Sequence, residues 1–172
     1  MPNSTNLLGV DLNLIDPKDA KSKIAKSCAK CWFEKNPSGH YNWGDCSGFV
    51  KAVQADLGLR PFLGQANEIF DEVEERTDWV VFGSGSQALS EAGLAANCGA
   101  FTIGVWQNPK GNGHVAIITA YIPLLGNKPE QHAIGGWGQL HNVGHLLDRM
   151  SNSFGQDKHP SIRYAKCLFP VL

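Results

Sequence analysis

The stretch that decides the fold is Gly44-Asp45-Cys46-Ser47-Gly48-Phe49-Val50, and it continues to Gly58. Apolar residues recur in it at helical spacing and form one stripe, made of Phe49, Val50, Val53 and Leu57. Asp45 is a favourable N-cap residue, and Gly58 is a favourable residue just beyond a helix C-terminus. The sequence therefore predicts a helix that begins at Cys46 and packs into the core.

Cys46 is a candidate nucleophile because it would lie in the first turn of this helix. Unpaired N–H groups and the positive end of the helix dipole favour a thiolate there. A nucleophile of this kind needs a base, and the best candidate is His114. His114 follows the turn residues Gly111-Asn112-Gly113 and opens an apolar, β-branched segment that predicts a strand. The alternative is that Cys46 is an inert buried thiol and that His114 only begins a strand.

Length and composition predict one domain, residues 1–172, with residues 1–15 as a loosely ordered lead-in. A hydrophobic content of 42% is enough for a core. The net charge of −1, without a basic tract, argues against nucleic acid and anionic membrane surfaces as partners. No apolar run approaches the roughly 20 residues that span a bilayer, so we expect no membrane insertion.

Helical patterns come first in the chain, and strand patterns follow. Besides the helix at Cys46, helices are predicted over residues 16–33, 65–76 and 86–97, and strands over 79–82, 100–106, 114–122, 132–137 and 161–169. Residues 138–155 are predicted to be irregular or partly helical. Helices followed by an antiparallel meander are typical of an α+β fold.

Two motifs give a resemblance to a known family. Asp45-Cys46-Ser47-Gly48-Phe49 resembles the nucleophile motif of NlpC/P60 cell-wall peptidases, and Gly113-His114-Val115-Ala116 resembles their histidine motif. With Trp32 upstream and Cys167 near the C-terminus, the chain is most similar to the amidase effectors of bacterial type VI secretion systems, over roughly residues 25–125. The resemblance implies a papain-like fold, with the nucleophile at a helix N-terminus packed on an antiparallel sheet.

The same resemblance implies roles for further residues. In the family, the strand after the histidine strand supplies the group that orients the imidazole, which here predicts His132, with Gln131 as the alternative. Family members hold substrate with the residues flanking the nucleophile, here Asp45 and Ser47, although N-capping would also explain both. Tyr41 and Trp43, in the loop before the nucleophile, would either contact substrate or cover the helix end.

The implied substrate is the stem peptide of peptidoglycan, cleaved without a cofactor. The bond would be γ-D-glutamyl to meso-diaminopimelate or the D-alanyl cross-link to diaminopimelate. An effector would also require the secretion machinery and a cognate immunity protein, and we expect a monomer. Because residues 1–16 lack a basic region, we expect secretion without a Sec signal and action in the periplasm of target bacteria. The alternatives are a phage or autolysin-type lysin and a catalytically silent binding module.

The remaining cysteines and histidines carry weaker expectations. Since Cys28 and Cys31 fall on the buried side of the first helix and chain ends often lie close together, we expect Cys167 to form a disulfide with one of them after export. One alternative is that all three are ordinary buried thiols, and another is that Cys28 and Cys31 form a Cys-x-x-Cys metal or redox site. His141 and His145 have zinc-ligand spacing without a third ligand nearby, so we expect no metal. His40 and His159 are expected at the surface.

Overall fold

A computed structural model describes residues 20–123, 128–140 and 143–168, and its centre is one antiparallel sheet. The sheet has six strands in the order β1-β6-β2-β3-β4-β5. Their bounds are β1 Trp79–Ser84, β2 Thr102–Trp106, β3 His114–Tyr121, β4 Ala133–Leu140, β5 Val143–Arg149 and β6 Arg163–Cys167. β2, β3 and β4 form the expected meander, and β6 returns between β1 and β2.

The helices lie on the two faces of this sheet. They are α1 Ala20–Phe33, α2 Cys46–Asp56, α3 Ala66–Glu75, α4 Gly85–Asn97 and the short α5 Pro129–His132. Successive side chains of a strand point to opposite faces, and β3 supplies both cores in this way. Val115 and Ile117 join the cluster that contains α1, α2 and α3, whereas Ala116 and Ile118 join the cluster that contains α4. The described architecture confirms the α+β fold class.

Two parts of the chain differ from the prediction. Residues 143–149 form strand β5, although the sequence suggested irregular or helical structure there. His159 is buried, with 7% of its surface exposed, and packs edge-on against Phe154, so its expected surface position is wrong. His40 is exposed, as expected. The lead-in, the first residues of the helix predicted over 16–33, and His141 lie outside the described residues.

The disulfide expected after export stays a prediction, and the structure places its three candidate cysteines in one part of the core. Cys28, Cys31 and Cys167 belong to one core cluster, but each is present as a thiol. Burial raises the pKa of the Cys31 thiol to about 11 and raises the pKa of Cys28 further. Such thiols react slowly, since the thiolate is the reactive form. Within the described residues, no helix has the length and apolar composition needed to cross a membrane.

Candidate active site

α2 begins at Cys46 because Asp45 caps it. The Asp45 carboxylate accepts hydrogen bonds from the N–H groups of Ser47 (3.3 Å) and Gly48 (2.7 Å). The stripe predicted from the sequence is buried, with Phe49, Val50 and Val53 fully covered. Gly58 follows the helix at φ +70°, a conformation that favours glycine. The cap and the stripe together fix Cys46 against the sheet.

The sulfur of Cys46 lies beside the first residues of β3. The backbone at Val115, the residue that follows His114, lies close enough to lower the pKa of this thiol. The Ser47 hydroxyl lies 3.9 Å from the same sulfur. The structure therefore places Cys46 beside the start of β3, the strand that begins at His114, although the two residues are far apart in sequence.

Burial sets the charge state of Cys46. Only 7% of its surface is exposed, and this burial raises the pKa of its thiol above the ordinary value. The backbone at Val115 and the Ser47 side chain and backbone lower the pKa of Cys46. The negative charge of Asp45 raises it. The helix N-terminus was expected to favour a thiolate, but the cost of burying the charge outweighs that effect.

His114 is completely buried at the start of β3. Its Nε2 is joined by a hydrogen bond of 3.0 Å to the Oγ of Ser153, and its ring packs edge-on against Phe154 with centroids 5.1 Å apart. Both residues follow the 3-10 turn Met150–Asn152 at the end of β5. Sequence reasoning missed them, because residues 138–155 gave no strand signal that would have placed this turn over His114.

His132 does not orient His114, and this corrects the prediction. The His132 Nδ1 is hydrogen-bonded to the hydroxyl of Tyr121 (3.2 Å), and its carbonyl accepts from Ile122. These partners stand at the end of β3, whereas His114 begins it. At about 3.3 Å per strand residue, the two ends are roughly 23 Å apart. Gln131, the alternative, lies beside His132 and bonds to Lys128.

Cys46 opens onto a large cleft. This main cleft has a volume of about 890 Å³ and is lined by Gly44, Asp45, Cys46, Ser47, Gln65, Ala66, Asn67, Glu68, Trp106, Asn108, Asn112, Gly113 and Lys158. A side pocket of about 510 Å³ shares Gly44 and Asp45 with it and contains Tyr41 and Trp43. The start of α2 therefore lies between two adjoining depressions.

The charged side chains that line the main cleft differ in the partners they already have. Asp45 is occupied as the helix cap, and Glu68 accepts a hydrogen bond from the Gln65 N–H (2.9 Å). Lys158 lies over the ring of Trp106, 4.9 Å from its centroid. Among the described residues that line the cleft, Lys158 is the cation, and this feature was not foreseen from the sequence.

The residues predicted to contact substrate differ in how exposed they are in the structure. The ring of Trp43 is stacked with the rings of Trp32 (6.3 Å between centroids) and Tyr41 (6.1 Å). This packing agrees with the alternative that the aromatics cover the helix end, although both also line the side pocket. Ser47 is only 1% exposed and faces the sulfur of Cys46, while Asp45 is exposed at the rim.

Two glycines allow the backbone to approach closely at the site. A Cβ on Gly138 of β4 would lie 2.3 Å from the carbonyl oxygen of Asp45 and 2.9 Å from the nitrogen of Cys46. A Cβ on Gly113 would lie 2.5 Å from both the Asn67 Oδ1 and the Trp106 carbonyl oxygen. Any side chain at either position would displace the elements that carry Cys46 and His114.

No metal centre is formed by the described residues, in which no group of three His, Cys, Asp or Glu side chains is arranged around a common point. His145 pairs with the carboxylate of Asp148 (2.8 Å) and packs on Trp137. Its proposed co-ligand His141 lies outside the described residues.

Comparison with known proteins gives a partial match. No family model matches the sequence. The chain is 30% identical over 95 residues to the peptidoglycan amidase Tse1 of Pseudomonas aeruginosa. The matched region is 55% of this chain and 57% of that protein, so the chain covers a little more than half of the relative's length. The chain is thus similar in part to a cell-wall amidase.

Proposed function

We propose that this protein is a peptidoglycan amidase that uses Cys46 as nucleophile and His114 as base. The observation that carries the proposal is the position of Cys46, which lines the main cleft at the start of α2 and lies beside the backbone that follows His114. The partial similarity to Tse1 supports peptidoglycan as the substrate. The NlpC/P60-like motifs support cysteine chemistry within a papain-like fold.

The chemistry divides amide hydrolysis into two steps. The imidazole of His114 takes the thiol proton of Cys46 as the sulfur attacks the carbonyl carbon, and a carbon–sulfur bond forms. His114 then gives this proton to the nitrogen of the breaking amide bond, so the amine leaves and a thioester remains. Water, deprotonated by His114, attacks the thioester, releases the carboxylate product and restores the thiol.

The start of α2 also offers a group that can stabilise the tetrahedral intermediate. The Asp45 carboxylate accepts hydrogen bonds from the N–H groups of Ser47 and Gly48. The N–H of Cys46 itself, at the positive end of the helix, would donate to the oxyanion that forms on the attacked carbonyl. Asp45 thus serves the reaction by holding the helix end in place.

The cleft is compatible with a peptide that carries carboxylates. The two bonds considered, γ-D-glutamyl to meso-diaminopimelate and the D-alanyl cross-link, both lie in such a peptide. Lys158 supplies a positive charge on the cleft wall, which also includes Asn67, Asn108 and Asn112. We propose the stem peptide as the ligand of the main cleft.

We propose an antibacterial setting on the basis of the resemblance to type VI effectors. The enzyme would be delivered to the periplasm of a target cell, and an immunity protein would protect the producer by covering the cleft. A phage or autolysin-type lysin would have the same activity without that partner. A silent binding module would lack the activity altogether.

Digestion of purified sacculi by the protein, with the fragments identified by mass spectrometry, tests the proposal and identifies the bond. Cys46→Ala and His114→Ala should each abolish release of fragments while retaining the wild-type circular dichroism spectrum. Cys98→Ala is the matched control, because Cys98 is exposed and lies at the end of α4, outside both depressions. Normal digestion by a folded Cys46→Ala protein would refute Cys46 as the nucleophile.

Expression in two compartments tests the setting. The protein should be tolerated in the cytoplasm of a bacterium and should lyse the cell when it carries a periplasmic signal, because peptidoglycan lies outside the inner membrane. Equal toxicity in both compartments would point to another substrate. Co-expression of a neighbouring gene that suppresses lysis would identify the immunity partner and separate the effector from a lysin.

A further inference from the structure

The imidazole of His114 is held by a segment that sequence reasoning left without a role. Its Nε2 and the Ser153 Oγ are 3.0 Å apart, and both residues are buried, with 0% and 3% of their surfaces exposed. The ring also packs on Phe154. A buried hydrogen bond to one ring nitrogen determines how the ring is turned and which nitrogen carries the proton.

We propose that Ser153 is the positioning residue for His114, accepting a hydrogen bond from its Nε2–H. This inference rests on the proposed function. With the proton held on Nε2, the lone pair is on Nδ1, and Nδ1 is then the atom at which the ring can act as a base. If Ser153 instead donated to Nε2, the proton would reside on Nδ1 and the ring could not act as a base at that atom.

The turn that carries Ser153 is itself fixed by a buried carboxylate. Asp148 is 4% exposed and accepts hydrogen bonds from the Asn152 amide (3.1 and 3.0 Å) and from the Arg149 N–H (2.7 Å). His145 adds a contact to the same carboxylate. The Ser153 N–H then donates to the Met150 carbonyl (3.0 Å), which closes the turn. Ser153 therefore has a defined position before any ligand is bound.

A hydroxyl in this role differs from a carboxylate in its charge. A carboxylate would stabilise the imidazolium that forms when His114 takes a proton, whereas a neutral hydroxyl only orients the ring. A thiol that stays protonated until substrate is bound is consistent with this arrangement, and burial favours the protonated form of Cys46. Proton transfer and attack on the carbonyl would then occur together.

Nuclear magnetic resonance of the protein labelled with ¹⁵N tests the inference directly. In the wild type, the Nε2-bound proton of His114 should resonate far downfield and exchange slowly with water. In Ser153→Ala this proton should shift upfield and exchange faster, and Ser153→Thr should restore the signal because it keeps the hydroxyl. Ser151→Ala, a serine change in the same turn, should leave the signal unchanged.

Kinetics supply the second measurement. Ser153→Ala should lower kcat about 10- to 100-fold, because a buried donor loses its acceptor, while KM should stay within about twofold. Ser153→Thr should recover most of the kcat, and Ser151→Ala should match the wild type. A change in KM alone would indicate a role in binding and would overturn the inference.

The two measurements separate this inference from the proposed function. An Nδ1-bound proton in the wild type, or a His114 signal unaltered by Ser153→Ala, would overturn the role of Ser153 whatever the activity. If the wild type does not hydrolyse peptidoglycan, the proposed function fails, while the resonance data still decide whether Ser153 orients the ring. If Ser153→Ala does not fold, the wild type and Ser153→Thr decide it.

Discussion

Gly138 of β4 touches the backbone at Asp45, at the point where α2 begins. The two residues are so close that a Cβ on Gly138 would lie 2.3 Å from the Asp45 carbonyl oxygen and 2.6 Å from its carbonyl carbon. No side chain can be accommodated at that distance unless the backbone moves. The position of Cys46 relative to the sheet therefore depends on the absence of a side chain at Gly138.

We predict that Gly138→Ala strongly lowers peptidoglycan cleavage. The added methyl group would push the start of α2 away from β4, and with it the sulfur away from His114, and misplacement by about 1 Å can cost 100-fold in rate. The measurement is kcat/KM on sacculi, together with the melting temperature. Gly136→Ala on the same strand is the control, because its nearest neighbour would be 3.6 Å away. Equal activity of the two variants would contradict the prediction.

We predict that Lys158→Met weakens substrate binding. Loss of the cation that lies over Trp106 should raise KM several-fold while kcat changes little, because a carboxylate of the proposed peptide ligand would lose its partner in both the ground and the transition state. Lys110→Met is the control, since Lys110 is exposed and does not line the main cleft. A wild-type KM for Lys158→Met would show that the carboxylates bind elsewhere.

The start of α2 was predictable because its signals are local. A capping residue, a helical stripe and a terminal glycine lie within Asp45–Gly58, and each acts over one or two helical turns. The strand at His114 has a similarly local signal, a glycine-rich turn before an apolar run. The burial that raises the pKa of Cys46 is not local, since it depends on elements far away in sequence, and sequence reasoning gave the opposite sign.

β5 could not be predicted in the same way. Its sequence, Val143-Gly144-His145-Leu146-Leu147-Asp148-Arg149, does not alternate between apolar and polar residues, and Leu147 adopts φ +56°, which is unusual for leucine. Pairing with β4 makes this segment a strand. Without β5 the turn at Ser153 had no predicted location, so its contact with His114 was not foreseen.

The error at His132 has a topological cause. His132 directly precedes β4, and β4 runs antiparallel to β3. The first residues of one such strand lie beside the last residues of its partner, so His132 is next to Tyr121. The opposite end of β4, at Gly138, is the end that reaches the site. The antiparallel pairing in the predicted meander already implied this arrangement.

We predict that the protein loses stability at alkaline pH through its buried thiols. Burial, with the charge of Asp56 as a second cause, raises the pKa of Cys31 to about 11. In the unfolded chain, a cysteine has a pKa of about 8.5. The unfolded state therefore releases its proton first. The contribution of Cys31 to the free energy of unfolding is therefore fully present below about pH 8.5. It falls by about 3 kcal/mol as the pH rises towards about 11.

Urea denaturation between about pH 8 and pH 11 measures this effect. The free energy of unfolding of Cys31→Ala should start lower, because a buried side chain is truncated, but should fall less steeply with pH than that of the wild type. Cys98→Ala, at an exposed position, should keep the wild-type slope. Parallel pH curves for the wild type and Cys31→Ala would contradict the raised pKa.

Asp45 acts on Cys46 in two ways, as the N-cap of α2 and through its negative charge, and these two effects can be separated by mutation. Burial is the main reason that the pKa of Cys46 is raised, and the negative charge of Asp45 contributes in the same direction. Asp45→Asn removes the charge but keeps an oxygen that can cap the helix, and Asn ranks with Asp as an N-cap residue. Asp45→Ala removes both, at a cost of about 1 kcal/mol in stability.

The rate at which iodoacetamide alkylates Cys46, followed by mass spectrometry as a function of pH, distinguishes the two effects. The midpoint for Asp45→Asn should move to lower pH than in the wild type, because the thiolate no longer faces a carboxylate, while the melting temperature should stay close to the wild type. Since burial remains, the midpoint should still lie above that of an exposed cysteine. Asp45→Ala should show the same direction of shift together with a lower melting temperature. An unchanged or higher midpoint in Asp45→Asn would mean that the carboxylate acts on Cys46 only by holding the end of α2.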